Sequence, residues 1–164
     1  LFFALLVLVR SSGSLALGGM LGPSLASGWV SSGASLVLIT VSLFIVLLAE
    51  NSRIPVDDPN THLELTMIHE VMVLDHGGPA FGMILYGATL KLFALGALIV
   101  GIVVPYHGGD PAIGWALFLG GMVALAILIG IVESVMARLR LPQVPSLLVA
   151  ACLLSGFGIV LMAR

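Results

Sequence analysis

Charge is what this chain has least of. Only 9% of its 164 residues are Asp, Glu, Lys or Arg, while 60% are hydrophobic. A soluble domain normally carries about 25% charged residues. So few charges cannot cover a water-exposed surface, and the lipid bilayer is the expected solvent. The six basic and eight acidic residues leave a net charge of -2. No basic patch forms, which excludes nucleic acid as a partner. Cysteine is nearly absent as well. Cys152 has no second cysteine to pair with, and its apolar setting predicts a small packing residue with an unreactive thiol. Strand-like alternation is also missing. The apolar runs are continuous, which excludes a membrane β-barrel.

What remains is a series of long apolar segments. Leu1–Val9 is too short to span and has no basic residues before it, so it does not read as a signal peptide. It reads as the tail of a transmembrane helix whose start lies outside the sequence, and a truncated chain is expected. Four longer segments follow: about Trp29 to Ala49, Pro79 to Val104, Ile113 to about Ala137, and Val144 to Ala163. Each is near or above the roughly 20 residues that cross a bilayer as a helix. Helices are required because lipid offers backbone groups no partner. The expected fold is an all-α, polytopic transmembrane helix bundle over residues 1–164, with about four full spans, an N-terminal partial span and a cytoplasmic amphipathic helix.

The connections differ. Ser11–Gly33 is rich in Ser and Gly, with Pro23 inside it, and a short interfacial helix is expected around Leu15–Leu21. Pro105–Pro111 is a short turn with two glycines and two prolines. Arg138–Pro145 is a short basic loop. Glu50–Pro79 is the only long polar connection. Alternating spans put the last two on one face with Arg53, Arg138 and Arg140, against Arg10 and Arg164 on the other. The positive-inside rule assigns the first face to the cytoplasm, and Arg138 and Arg140 read as loop anchors. Trp29 and Trp115 fall near helix starts on the opposite face, where an aromatic belt belongs.

The polar loop carries most of the chemistry. Glu50 and Arg53 are three apart and can pair if the preceding helix extends another turn. Pro55 then ends it, and Asp57-Asp58-Pro59 makes a second turn. Thr61 and Glu64 have the spacing of a capping box. Leu65, Ile68 and Met72 with Leu63, Met67, Val71 and Leu74 form an apolar stripe, while His62, Thr66, His69, Glu70 and His76 lie opposite. Gly77-Gly78-Pro79 closes the helix. It is too short and polar to span, and suits a membrane interface or a partner. His62, His69 and His76 share a face, but seven residues is about 10.5 Å of rise, too far for two of them to reach one ion. His69-Glu70 also lacks the second histidine of a metalloprotease helix. No metal is assigned.

Lys91 sits near the middle of an apolar span. A lysine at the bilayer centre costs at least about 2.5 kcal/mol and is normally paired or beside water. Glu50 and Glu133 lie near the cytoplasmic ends of their helices. Snorkelling to the interface is the plainer reading of both carboxylates. The alternative is a Lys–Glu pair across helices, acting as part of a charge relay.

The run Ala49-Glu50-x-x-Arg53-x-Pro55-x-Asp57, with Glu64-Leu65 after it, resembles the cytoplasmic loop of respiratory complex I subunit 1. Asp57 to Glu70 (Asp-Asp-Pro-Asn-Thr-His-Leu-Glu-Leu-Thr-Met-Ile-His-Glu) is similar to the homologous membrane subunit of group 4 hydrogenases, the formate hydrogenlyase subunit 4 and hydrogenase-4 type. Glu133-Ser-x-x-Ala-Arg138-x-Arg140, followed by Pro145, resembles that family's last loop. The resemblance implies a subunit of eight transmembrane helices, of which this chain is the C-terminal half. It implies a heel position in an inner (plasma) membrane complex. There it joins a hydrogenase or complex I-like peripheral arm to antiporter-like membrane subunits, and holds no cofactor of its own. Glu50, Arg53, Asp57 and Glu64 would lie at the junction with the arm, and Glu70 and Asp75 would stand for later family acids. In the complex I branch this region lines a quinone cavity. Here Asn60 and His62 replace acids between Asp57 and Glu64, which weighs against quinone and toward the hydrogenase branch. The resulting expectation is a non-catalytic subunit that couples redox chemistry to proton or ion movement through Glu50, Arg53, Asp57, Glu64, Glu70, Lys91 and Glu133. A passive anchor and a free-standing transporter are the other readings. The absence of an internal repeat speaks against the transporter.

Overall fold

Helix follows wherever an apolar run is long enough to satisfy its own backbone. The structure, a computed structural model, describes residues 1–51, 77–105, 110–135 and 144–163. Among them are six helices and no strand: α1 (Phe2–Ser12), α2 (Leu17–Met20), α3 (Pro23–Glu50), α4 (Pro79–Val103), α5 (Pro111–Val135) and α6 (Val144–Ala163). The last four are long and apolar enough to cross a membrane. Helices occupy all the expected spans, and a short helix, Leu17–Met20, falls within the segment expected at Leu15–Leu21. The amphipathic helix expected from Thr61 to His76, its three histidines and the Arg138–Gln143 part of the basic loop lie outside the described residues.

Local chemistry sets the helix ends. Gly13 stops α1 in the left-handed conformation at φ 67°, with its N–H on the Val9 carbonyl. Gly78 precedes α4 at φ 55°, a backbone state that a side chain would oppose. Prolines open α3 and α4 at their first turns, where the missing N–H costs nothing. Asp110 accepts the Ala112 N–H at 3.0 Å and so caps the start of α5, with Pro111 following it.

The largest departure from the sequence reading is the start of α3. It begins at Pro23, inside the segment expected to be a Ser/Gly-rich connection, and bends at Ser32, where φ is -139° and ψ 38°. Ser32 Oγ donates to the Gly28 carbonyl at 3.2 Å, and Ser35 Oγ donates to the Ser32 carbonyl at 2.7 Å. These hydroxyls serve backbone acceptors at the bend, a common cause of kinks at Gly/Ser sites.

The core forms where α3 meets α6, the most extensive contact between elements, with α1 against both. Val7, Leu8, Leu36, Ile39, Leu43 and Leu47 are fully buried there. Small residues let α3 and α6 approach. Ser42 Oγ donates to the Ala151 carbonyl at 2.8 Å, and a Cβ on Gly158 would sit in ordinary contact 3.5 Å from the Ser35 carbonyl. The α4–α5 contact is tighter. A Cβ at Gly121 would come within 2.6 Å of Val100 Cγ1. In a bilayer, close packing of this kind holds helices together without a hydrophobic drive between them.

The outward faces are apolar too. Leu119, Val123 and Ile127 on α5 are each more than half exposed, a surface that suits lipid or neighbouring helices rather than water. Cys152 departs from expectation. It is exposed on the outer side of α6, next to buried Ala151, and is not a packing residue. One step along a helix turns a side chain by about 100°, so adjacent residues face differently.

Candidate charge-coupling site

Glu50 is the last residue of α3, and Lys91 lies halfway along α4. Lys91 Nζ is 3.5 Å from Glu50 Oε2 and donates to the Glu50 backbone carbonyl at 2.6 Å. The carbonyl bond is the short one; the carboxylate contact is at ion-pair range. Both side chains are about half exposed, at 47% for Lys91 and 57% for Glu50. The alternative reading of the sequence is a Lys–Glu pair across helices. The structure forms that pair at the bundle's surface.

The position follows from an offset between the two helices. The last residue of α3 sits level with the middle of α4. Pro79–Leu90 therefore runs about 18 Å farther along α4 than the point where α3 ends. All of that stretch except Phe81 is exposed. Near the other end of the pair, Trp29 Nε1 donates to the Ile102 carbonyl at 2.8 Å.

Asn51 finishes the site. Its backbone N–H and its Nδ2 both donate to the Leu47 carbonyl, at 3.2 Å and 2.8 Å. The last turn of α3 is thus closed by Asn51 from within and by Lys91 from outside. Sequence reasoning does not single out Asn51, although Asn just past an apolar helix is a recognised stop signal. For Trp29 the sequence indicates only an interfacial aromatic. The structure gives it a specific acceptor 73 residues away.

Glu133 is half-buried near the end of α5. Alternation of the spans puts it at the same end of the bundle as Glu50. Arg53, Asp57, Glu64, Glu70, Arg138 and Arg140 lie outside the described residues. No group of three or more His, Cys, Asp or Glu positioned to hold a metal occurs among the described residues. A cavity of about 490 Å³ opens between α3, α4 and α5, lined by Thr40, Phe44, Val100, Val103, Leu125 and Leu128 among others. Its lining is apolar; the Thr40 hydroxyl is engaged with the Leu36 carbonyl at 2.8 Å.

Chemically, the Glu50–Lys91 pair is neutral as a unit. A carboxylate and an ammonium are thus paired across two helices at the end of α3.

These features define a class: a polytopic α-helical membrane protein carrying an interhelical ion pair at one end of its spans. The family model described as NADH dehydrogenase matches residues 1–163, and the chain belongs to that family, the complex I subunit 1 family. No curated protein and no solved structure matches it. Family membership and the four spans agree with a multi-pass membrane subunit of a multisubunit, respiratory-type complex.

Proposed function

We propose that this chain is the heel subunit of a group 4 hydrogenase or formate hydrogenlyase-type complex in the plasma membrane. It docks a peripheral redox arm on one side and antiporter-like membrane subunits on the other. Its loops at 50–78 and 138–145 face the cytoplasm. The subunit holds no cofactor and performs no bond chemistry itself. It couples a charge change in the arm to proton or ion movement in the membrane.

The observation that carries this reading is the contact between Glu50 and Lys91 at the point where α3 gives way to the polar loop. Arg53, Asp57 and Glu64 follow within that loop. A charge arriving in the arm alters the potential at Arg53 and Asp57, and Glu50 and Lys91 are the next titratable groups toward the membrane. A shift there changes how tightly the ammonium is held, and Glu70 and Glu133 are the further acids that carry the change onward in this proposal. The reduced acid count between Asp57 and Glu64 favours the hydrogenase branch.

The test is purification of the complex through this subunit. Co-purification of a nickel-bearing catalytic partner supports the proposal, and its absence from an active complex removes it. The family match itself favours a second reading, a quinone-site subunit of an NADH:quinone oxidoreductase. That reading predicts that a photoreactive quinone labels Arg53 or its neighbours in the active complex. A passive anchor predicts unchanged coupling when Lys91 and Glu133 are neutralised.

A further inference from the structure

The last carbonyls of any helix lack a partner within it. Both α3 and α4 end with such groups. The Glu50 carbonyl at the end of α3 accepts from Lys91 of α4 at 2.6 Å, and the Ile102 carbonyl in the last turn of α4 accepts from Trp29 of α3 at 2.8 Å. Each helix supplies a donor that helps close the other's C-terminus.

We propose that Lys91 is a positioning residue whose ammonium caps the C-terminus of α3, so that α3 and α4, reciprocally capped by Lys91 and Trp29, move as one body at the root of the polar loop. Glu50 is the counter-ion of this cap and not its anchor. Three observations carry the assignment. The carbonyl contact is 0.9 Å shorter than the carboxylate contact (3.5 against 2.6 Å). A cation is favoured at a helix C-terminus by the macrodipole. Asn51 takes the Leu47 carbonyl with both its N–H and its Nδ2, and Lys91 serves the Glu50 carbonyl, so the two donors divide the terminus between them. The assignment extends the charge-coupling reading but does not depend on which redox partner the arm carries.

An ordinary ion pair and a cap respond differently to substitution. Neutralising Glu50 removes an ion pair and leaves a cap. Exchanging the two charges restores an ion pair but cannot restore a cap, since a carboxylate has no proton to donate to a carbonyl. The experiment is hydrogen exchange at the backbone amides of Leu48 to Asn51 in the intact purified complex. Yield of the assembled complex is followed in parallel. Lys91→Met is expected to speed exchange in this last turn by about fivefold, the scale of a helix-end charge interaction. Lys91→Arg restores slow exchange. Glu50→Gln leaves it slow, and Glu50→Lys with Lys91→Glu exchanges as fast as Lys91→Met. Should a variant fail to assemble, loss of yield with Lys91→Met and its recovery with Lys91→Arg and Glu50→Gln supports the cap in the same way. The proposal is overturned if Glu50→Gln frays the turn, or lowers the yield, as much as Lys91→Met does, or if the charge exchange restores slow exchange. Neither result depends on whether a hydrogenase partner is present, so a failure here and a failure of the functional proposal remain separate.

Discussion

Ser42 of α3 donates its hydroxyl to the carbonyl of Ala151 on α6 at 2.8 Å, and Ser155, one turn along α6, shares its hydroxyl between that carbonyl at 3.1 Å and the Cys152 carbonyl at 3.0 Å. One buried acceptor thus serves two hydroxyls at the most extensive helix contact in the bundle. Removing Ser42 alone leaves the carbonyl with Ser155. Ser42→Ala is expected to cost about 0.5 kcal/mol, near the average for membrane hydrogen bonds. Ser42→Ala with Ser155→Ala should cost more than the sum of the two, because only the pair strips the carbonyl of its side-chain donors. Unfolding in mixed micelles measures all three variants, and simple additivity would count against the shared acceptor.

Gly121 tests the α4–α5 contact. A Cβ there meets Val100 Cγ1 at 2.6 Å, while Gly120, one residue before it, has open space. Gly121→Val should lower stability by about 1–3 kcal/mol through overpacking. Val100→Ala should recover part of that loss, and Gly120→Ala should be close to neutral. Thermal inactivation of the purified complex distinguishes the two glycines; equal effects would place the contact elsewhere.

Trp29→Phe keeps most of the ring and removes the donor to Ile102. The expected cost is about 1 kcal/mol, the usual worth of one hydrogen bond. Red-edge shift and quenching of Trp29 emission in a Trp115→Phe background would report the polar contact in the parent chain. Stability unchanged by loss of the indole N–H would remove Trp29 as a clamp.

The spans were legible from length and apolarity alone. No soluble alternative can bury runs such as Val144–Ala163, and the helix ends fall within a few residues because Pro79, Pro111 and Gly78 mark them. The start of α3 was not legible, for an identifiable reason. Gly28, Ser31, Ser32 and Gly33 have the composition of a loop, yet in a bilayer the helix persists through them and their hydroxyls serve its carbonyls at the bend. The exposure of Cys152 was hidden because a uniformly apolar helix carries no amphipathic signal to tell its inner face from its outer one. Lys91 was legible as a residue in need of a partner. Its partner was not, because both Glu50 and Glu133 are eligible by depth, and only the offset of α3 against α4 selects Glu50. Reciprocal capping leaves no mark in the sequence, since its two acceptors are backbone carbonyls.

Glu50 and Lys91 are proposed to couple redox turnover to charge movement. The measurement that tests this most directly is redox-driven proton movement by the assembled complex in sealed vesicles, with turnover of the arm followed in the same sample. Glu50→Gln and Lys91→Met should each sharply lower the protons moved per turnover, while the Glu50→Gln arm continues to turn over. Full proton movement per turnover in both variants would contradict the account and leave the subunit as an anchor.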